Sequence, residues 1–235
     1  MPRKKKARRA SLPANPNTNL PNLPERFAIG GTEVRPLQLF ENPNRHPHGP
    51  GPWEGEPDKL AWRDAATGKG CILLRQYGGE WAGYVGVKPS HPLWGYSADA
   101  VPSAANIHVH GPLDYAESCE EEERPQVSVC HLLGDHSPRD RRIERDRSSV
   151  ADDTEPDIWW FGFTADRSGD LVPNHTRPLE AEEGRTYRDI DYMYGEVVKL
   201  AGQLRRLEES APVRDAASVL PGPKRKLGHE GGEDV

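Results

Sequence analysis

Two histidines separated by a single residue, His108 and His110, are the sharpest chemical signal in the chain. On a strand, side chains at i and i+2 share a face, and two imidazoles placed that way can hold one divalent metal. A third ligand would come from Asp114, His131, Asp135 or His136, none at a spacing that marks a metal site. The pair is therefore read either as the heart of a metal-dependent hydrolase or as a hydrogen-bonded, solvated pair on a polar strand face. Gly134-Asp-His136 offers a base and an orienting carboxylate, but no nucleophile accompanies it. Ser128 and Ser137 sit in no G-x-S-x-G turn, and Thr67-Gly-Lys-Gly70 lacks the first glycine and the following helix of a phosphate loop. No catalytic residue is assigned, and no cofactor is called for.

Aromatic and basic residues favour binding over catalysis. The loop at 90–96 carries His91, Trp94 and Tyr96, which can stack on a planar ligand, and a surface loop has no packing need for Trp94 and Tyr96. Arg188, with Arg167 and Arg185, can neutralise phosphate, and Arg188 falls in the first turn of the last helix beside its free N–H groups. Asp170 adds a carboxylate, and His110 and Tyr115 complete the set. If these places converge, they form a stacking wall, an anion clamp and a carboxylate. That combination suits a small anionic, nucleotide-like molecule. The competing use of Trp159, Trp160, Phe161 and Phe163 is core packing.

The elements that must position these residues read as strands followed by one helix. Cys71-Ile-Leu-Leu-Arg-Gln-Tyr77, Gly78-Gly79 and Trp81-Ala-Gly-Tyr-Val-Gly-Val87 have the pattern of a β-hairpin. Further strands are predicted at 106–110, 126–133 and 157–163, the last apolar on both faces and therefore central. Thr186 and Asp189 resemble a capping box. After them Ile190, Met193, Tyr194, Val197, Ala201 and Leu204 form one apolar stripe, with Glu196, Lys199, Gln203 and Arg206 on other faces. The expected fold class is α+β, a mainly antiparallel sheet packed by one long C-terminal amphipathic helix.

Composition restricts how much of the 235-residue chain can pack: 34% is hydrophobic, 29% is charged, and Gly and Pro number 23 each. Charge is uneven as well. Residues 1–26 hold seven Lys/Arg against one Glu, whereas 208–235 hold four bases against six acids. Segment 1–54 is expected to be mostly disordered, with Phe27-Ala-Ile-Gly and Leu37-Gln-Leu-Phe40 able to dock on the body. Segment 55–207 is expected to form a single domain with polar insertions near 117–125 and 134–156, and 208–235 a disordered tail. The basic run Arg3-Lys-Lys-Lys-Ala-Arg-Arg9 binds nucleic acid only weakly beside so acidic a body. No run is long and apolar enough for a membrane, and the basic start lacks the apolar core of a secretory signal. Cys71, Cys119 and Cys130 are odd in number and lack C-x-x-C spacing, so no disulfide framework is expected and the cytoplasm is the expected compartment.

Several motifs recur together in a fixed order. They are Leu60-Ala-Trp-Arg-Asp-Ala-Ala-Thr-Gly-Lys-Gly-Cys-Ile-Leu-Leu-Arg75, Gly83-Tyr-Val-Gly-Val87 with His91-Pro92, and Val109-His-Gly111 with Leu113 and Tyr115. Trp159-Trp-Phe-Gly-Phe163 and Tyr187-Arg-Asp189 follow. Over residues 60–207 the chain resembles a family of small, largely uncharacterised proteins from bacteria and bacterial viruses. Members often follow the Trp-Trp-Phe-Gly-Phe strand with an Asp-Cys-Ala-His-Ala-Gly-Asp-like segment. Here Thr164-Ala-Asp-Arg-Ser-Gly-Asp170 keeps the Gly-Asp and lacks the cysteine and histidine. The resemblance implies an accessory protein of bacterial-virus type and supplies no catalytic residues. The function expected from all of this is non-catalytic binding in the cytoplasm, of a small anionic molecule or a host protein. The alternatives are the His108/His110 hydrolase and a structural or interaction protein.

Overall fold

The computed structural model describes residues 23–119, 124–130, 158–174 and 184–210. Strands β3 (Pro36–Phe40), β4 (Lys59–Arg63), β5 (Gly70–Arg75), β6 (Trp81–Val87), β7 (Tyr115–Ser118) and β8 (Trp159–Thr164) form a six-stranded sheet in the order β3-β4-β5-β6-β8-β7. Every neighbouring pair is antiparallel. Helix α1 (Ile190–Ser210) lies across β5 and β6 and buries Ile190, Met193, Val197, Leu200, Ala201 and Leu204. The protein is α+β, with the antiparallel sheet and long C-terminal helix that the periodicity predicts.

The two faces of the sheet separate by strand alternation. Leu60, Trp62, Cys71, Leu73, Trp81, Val85, Phe161 and Phe163 meet α1 in the main core. Ala61, Ile72, Leu74, Ala82, Tyr84 and Trp160 face the other way, under Leu37, Tyr115, Val129 and Ile158. Gly83 sets the closeness of helix to sheet, since a Cβ there would run into Val197 of α1.

The N-terminal expectation needs correcting. From residue 23 onward the segment is built into the fold rather than disordered. β1 (Phe27–Ile29) and β2 (Thr32–Val34) make a hairpin, and β3 is an edge strand of the main sheet. The hairpin turn places Gly30 at φ 57° and Gly31 at φ 75°, left-handed values that the two-residue connection demands and glycine alone adopts freely. Proline density at 36–57 therefore marks fixed turns as well as strand ends. At the other end α1 continues through Ser210, past the predicted boundary at 207. Residues 1–22, 211–235 and the predicted insertion at 134–156 lie outside the described residues.

Three predicted local structures also differ. Residues 106–110 form no strand; only an isolated bridge joins Val109 to Gly111. The backbone of His108 is bonded instead to Gln203, whose Oε1 accepts from His108 N and whose Nε2 donates to His108 O, each at 2.7 Å. Gln203, expected on an outer face of the helix, is thereby buried. Residues 124–127 turn rather than extend into the predicted strand at 126–133, with Val127 N and Ser128 N both donating to Arg124 O. Cys119 and Cys130 form a disulfide with Cα atoms 5.2 Å apart, which overturns the expectation of unpaired thiols. Spacing alone missed it because β7 and the turn at 124–127 bring the two together. The Lys59 ammonium, fully buried, donates to Pro125 O and Ser128 O and fastens the same segment to the sheet. Cys71 is free and buried, and burial pushes its thiol well above the ordinary range.

Candidate functional site

Three of the predicted binding residues come together at one end of the sheet. β8 ends at Thr164, and the turn after it delivers Asp170, which is 2% exposed. Asp170 Oδ2 accepts from Arg167 N at 2.9 Å and lies 2.5 Å from His110 Nε2, while Oδ1 accepts from Arg188 Nε at 2.8 Å. The other ring nitrogen, His110 Nδ1, is 2.9 Å from the Tyr192 hydroxyl. A carboxylate only accepts, so in the neutral ring Nε2 carries the proton and Nδ1 accepts from Tyr192. Burial works to raise the Asp170 carboxyl, but the bonds from Arg188, His110 and Arg167 N outweigh it and hold the group below its ordinary value.

The other predicted residues do not join them. His91 is buried, 2.9 Å from Leu204 O through Nε2 and accepting from Leu93 N through Nδ1, so it ties the 90–96 loop to α1. Burial lowers its affinity for a proton. Trp94 is half-buried against Trp159, and Tyr96 is exposed beside it, its carbonyl accepting from Trp159 Nε1 at 3.0 Å. Those residues sit where β8 begins and Asp170 follows the turn after it ends, the two ends of the strand being about 17 Å apart at the ~3.3 Å rise per residue. Tyr115 packs edge-on against Tyr84 on the opposite face of the sheet. The stacking wall and the carboxylate are thus separate places.

The anion clamp is filled by the protein itself. Arg188 is paired with Asp170, and Arg167 with Asp114. At the start of α1, Asp189 Oδ1 accepts from Tyr192 N at 2.8 Å, making Asp189 the cap rather than Thr186, and Glu56 Oε1 accepts from Ile190 N at 3.0 Å. The two rings of the histidine pair also turn to different partners, His108 Nε2 lying 2.7 Å from Asn106 Oδ1. Among the described residues no group of three or more His, Cys, Asp or Glu could hold a metal ion. His131, Asp135 and His136 lie outside them.

A second constellation, absent from the sequence reading, lies on the other flank of the α1 N-terminus. Arg75, fully buried at the end of β5, donates through Nε to Asp58 Oδ1 (2.9 Å), through Nη2 to Glu56 Oε2 (2.8 Å) and through Nη1 to the Gly79 carbonyl (2.7 Å) and Tyr187 hydroxyl (2.9 Å). Tyr187 in turn donates to Glu56 Oε2 at 2.6 Å, and Trp81 Nε1 donates to the same oxygen at 3.1 Å. Burial opposes the charge on Arg75, yet Tyr187 and Glu56 more than restore it. Asp58, 2% exposed, also accepts from Asn42 N at 2.5 Å and lies 2.6 Å from His46 Nδ1.

His46 forms part of the wall of a cleft of about 790 Å³. Phe27, Ala28, Leu39, Pro43 and Pro47 give the cleft apolar walls, and Glu41, His46, Glu56 and Asp58 gather at one side. The volume lies within the ~300–1,000 Å³ range of small-molecule sites, and apolar walls with a few convergent polar groups are their usual make-up. The His46 ring is 32% exposed, and its Nε2 makes no hydrogen bond to another described residue. Burial, with Asp58 nearby, raises the Glu41 carboxyl above its ordinary range, while His46 acts the other way.

One sequence signal pointed here. Arg75 ends the apolar run Cys71-Ile-Leu-Leu, and a charged residue on a buried strand requires buried carboxylates. Glu56 and Asp58, just before the next strand in the sheet, were the available candidates. No protein-family model, no curated protein and no solved structure matches the chain.

Proposed function

We propose that the protein binds a small, predominantly apolar molecule in the cleft between the β1–β2 hairpin and the 41–58 segment. The observation that carries this is the cleft itself, with hairpin and proline-fixed walls on one side and His46, backed by Asp58, among the groups able to read a polar atom. The ligand is neutral rather than anionic. Glu41, Glu56 and Asp58 line the polar side, Arg26 on the cleft wall is paired with Glu33, and Arg167 and Arg188, two of the three arginines considered for phosphate, are paired with carboxylates elsewhere. The role is that of an accessory binding protein; its bacterial-virus setting rests on the motif series in 60–207, while a cytoplasmic setting, expected from unpaired cysteines, loses that support to the Cys119–Cys130 disulfide. Among the described residues no helix is long and apolar enough to cross a membrane.

Binding of 5-nitroindazole, a flat neutral probe, tests the proposal by calorimetry and by amide chemical-shift changes. Saturable binding is expected, with shifts concentrated in residues 24–28 and 41–58. Ala28→Trp, which fills the cleft from an exposed position on β1, should remove it. Absent binding, or binding unchanged by Ala28→Trp, would reject the cleft as a ligand seat.

A further inference from the structure

The cleft holds an imidazole arranged as a base. Asp58 fixes the tautomer of the neutral His46 ring: the carboxylate can only accept, so Nδ1 carries the proton and the lone pair is on Nε2. Asp58 cannot swing away, because Arg75 Nε and Asn42 N hold its two oxygens at 2.9 and 2.5 Å. The ring lines the cleft and its second nitrogen bonds to no other described residue. His110 shows what the same pairing looks like when closed, with both nitrogens occupied and the side chain only 11% exposed.

We infer that His46 Nε2 is a general base that removes a proton from a small neutral molecule seated in the cleft, with Asp58 positioning the ring and stabilising the imidazolium that forms. The inference rests on the cleft admitting a ligand and adds a reaction to it. The charged and titratable groups around the ring are Asp58 and Glu56, backed by Arg75 and Tyr187, with Glu41, His48 and the Glu33-paired Arg26 on the cleft wall. Glu41 is the neighbouring acid, and its raised affinity for a proton suits it to return one to a leaving atom. The substrate class is a neutral, flat molecule with an acidic C–H, N–H or O–H bond. An anion would meet the acidic side of the cleft.

Elimination of 5-nitrobenzisoxazole is a direct probe of such a base. The base takes the C3 proton, the C–H electron pair becomes the second π bond of a nitrile, and the N–O bond breaks to release the phenolate. Imidazolium then returns its proton to water, so atoms and electrons balance with no other reagent. The full-length protein is expected to accelerate this reaction over buffer, and 5-nitroindazole should inhibit it competitively. His46→Ala should lower the rate about a hundredfold, the low end of what a positioned base contributes. Added imidazole should restore part of the rate to His46→Gly, which loss of structure alone would not allow. His110→Ala should leave turnover unchanged.

The outcomes separate the two claims. If 5-nitroindazole binds the cleft but His46→Ala and His46→Gln turn over like the wild type, the base is overturned and the binding site stands. If neither compound engages the cleft, the binding proposal falls first. Should the His46 variants fail to fold, Ala28→Trp decides the matter: turnover that survives a filled cleft overturns the inference.

Discussion

Two histidine–aspartate pairs flank the start of α1, and they are built from nearly the same parts. Each has an imidazole on an aspartate that is 2% exposed, and each aspartate also accepts from an arginine and a backbone N–H. Consecutive residues connect them: Tyr187 reaches the Arg75–Glu56 side and Arg188 the Asp170 side. They differ in what occupies the second ring nitrogen. His110 meets the Tyr192 hydroxyl and becomes a clamp between the Val109–Gly111 bend and α1. The His46 ring lines a cleft, and no other described residue bonds its Nε2. A carboxylate–imidazole pair is therefore not itself a sign of chemistry; the unoccupied nitrogen beside room for a ligand is.

The largest expected effect tests how the two aspartates are anchored. Arg75 is fully buried with two carboxylates, whereas the Arg188 side chain is 29% exposed. Removing one partner of a buried ionic network leaves uncompensated charge, so Arg75→Ala should cost about 3–5 kcal/mol in urea unfolding. Arg188→Ala should cost no more than about 1 kcal/mol, as for a partly solvated pair. Equal losses would mean that the two anchors do not differ in kind.

Asp170→Asn comes next. Three donors lose an ionised acceptor, and bonds to charged groups contribute about 1.5–3 kcal/mol, so a loss near 2 kcal/mol is expected at neutral pH. The carboxyl is held below its ordinary 3.8. Its contribution is therefore complete above that value and lost as pH falls through the lower folded one. The gap between wild type and Asp170→Asn should close in strong acid, as followed by melting temperature against pH. A gap that persisted there would show that the carboxylate charge is not what holds His110.

The closed pair was partly legible in the sequence and the open pair was not, for physical reasons. His110, Asp170 and Arg188 lie beside periodic elements, the β8 strand and the α1 stripe, so their neighbourhood followed from where those elements end. His46 and Asp58 lie in a stretch with no period. Their partner Arg75 is on β5, and the hairpin wall opposite, where composition allows no more than Phe27-Ala-Ile-Gly docking on the body, has strands only three residues long. Short strands leave almost no alternation to detect. The aromatic loop differs: its composition marks 90–96 as a surface loop with no packing need for Trp94 and Tyr96, but nothing in its pattern shows that Trp94 packs on Trp159 where β8 begins.

Chemical modification sharpens the same contrast without altering the protein. Diethylpyrocarbonate acylates an accessible, unprotonated ring nitrogen. Peptide mass spectrometry should find His46 modified well before His110, whose two nitrogens are both bonded. Tyr192→Phe removes the hydroxyl at Nδ1 and should bring His110 closer to the reactivity of His46. If His110 reacts first in the wild type, the closed and open assignments are reversed.

The smallest expected effect is the most pointed. Burial and the adjacent Asp58 raise the Glu41 carboxyl above its ordinary 4.5. The folded protein then favours the protonated form, so stability is greatest below that value and declines as pH rises through the raised one. Glu41→Gln removes the decline. The variant should match the wild type in acid and exceed it at neutral pH by at most about 0.5 kcal/mol, the scale of a surface change. The sign matters more than the size. A Glu41→Gln variant that is less stable at neutral pH would mean the carboxylate makes a favourable bond in the folded state, and His46 Nε2 is the nearby donor able to form it. In that event both nitrogens of His46 would be engaged, the two pairs would be equivalent, and the cleft would hold no base.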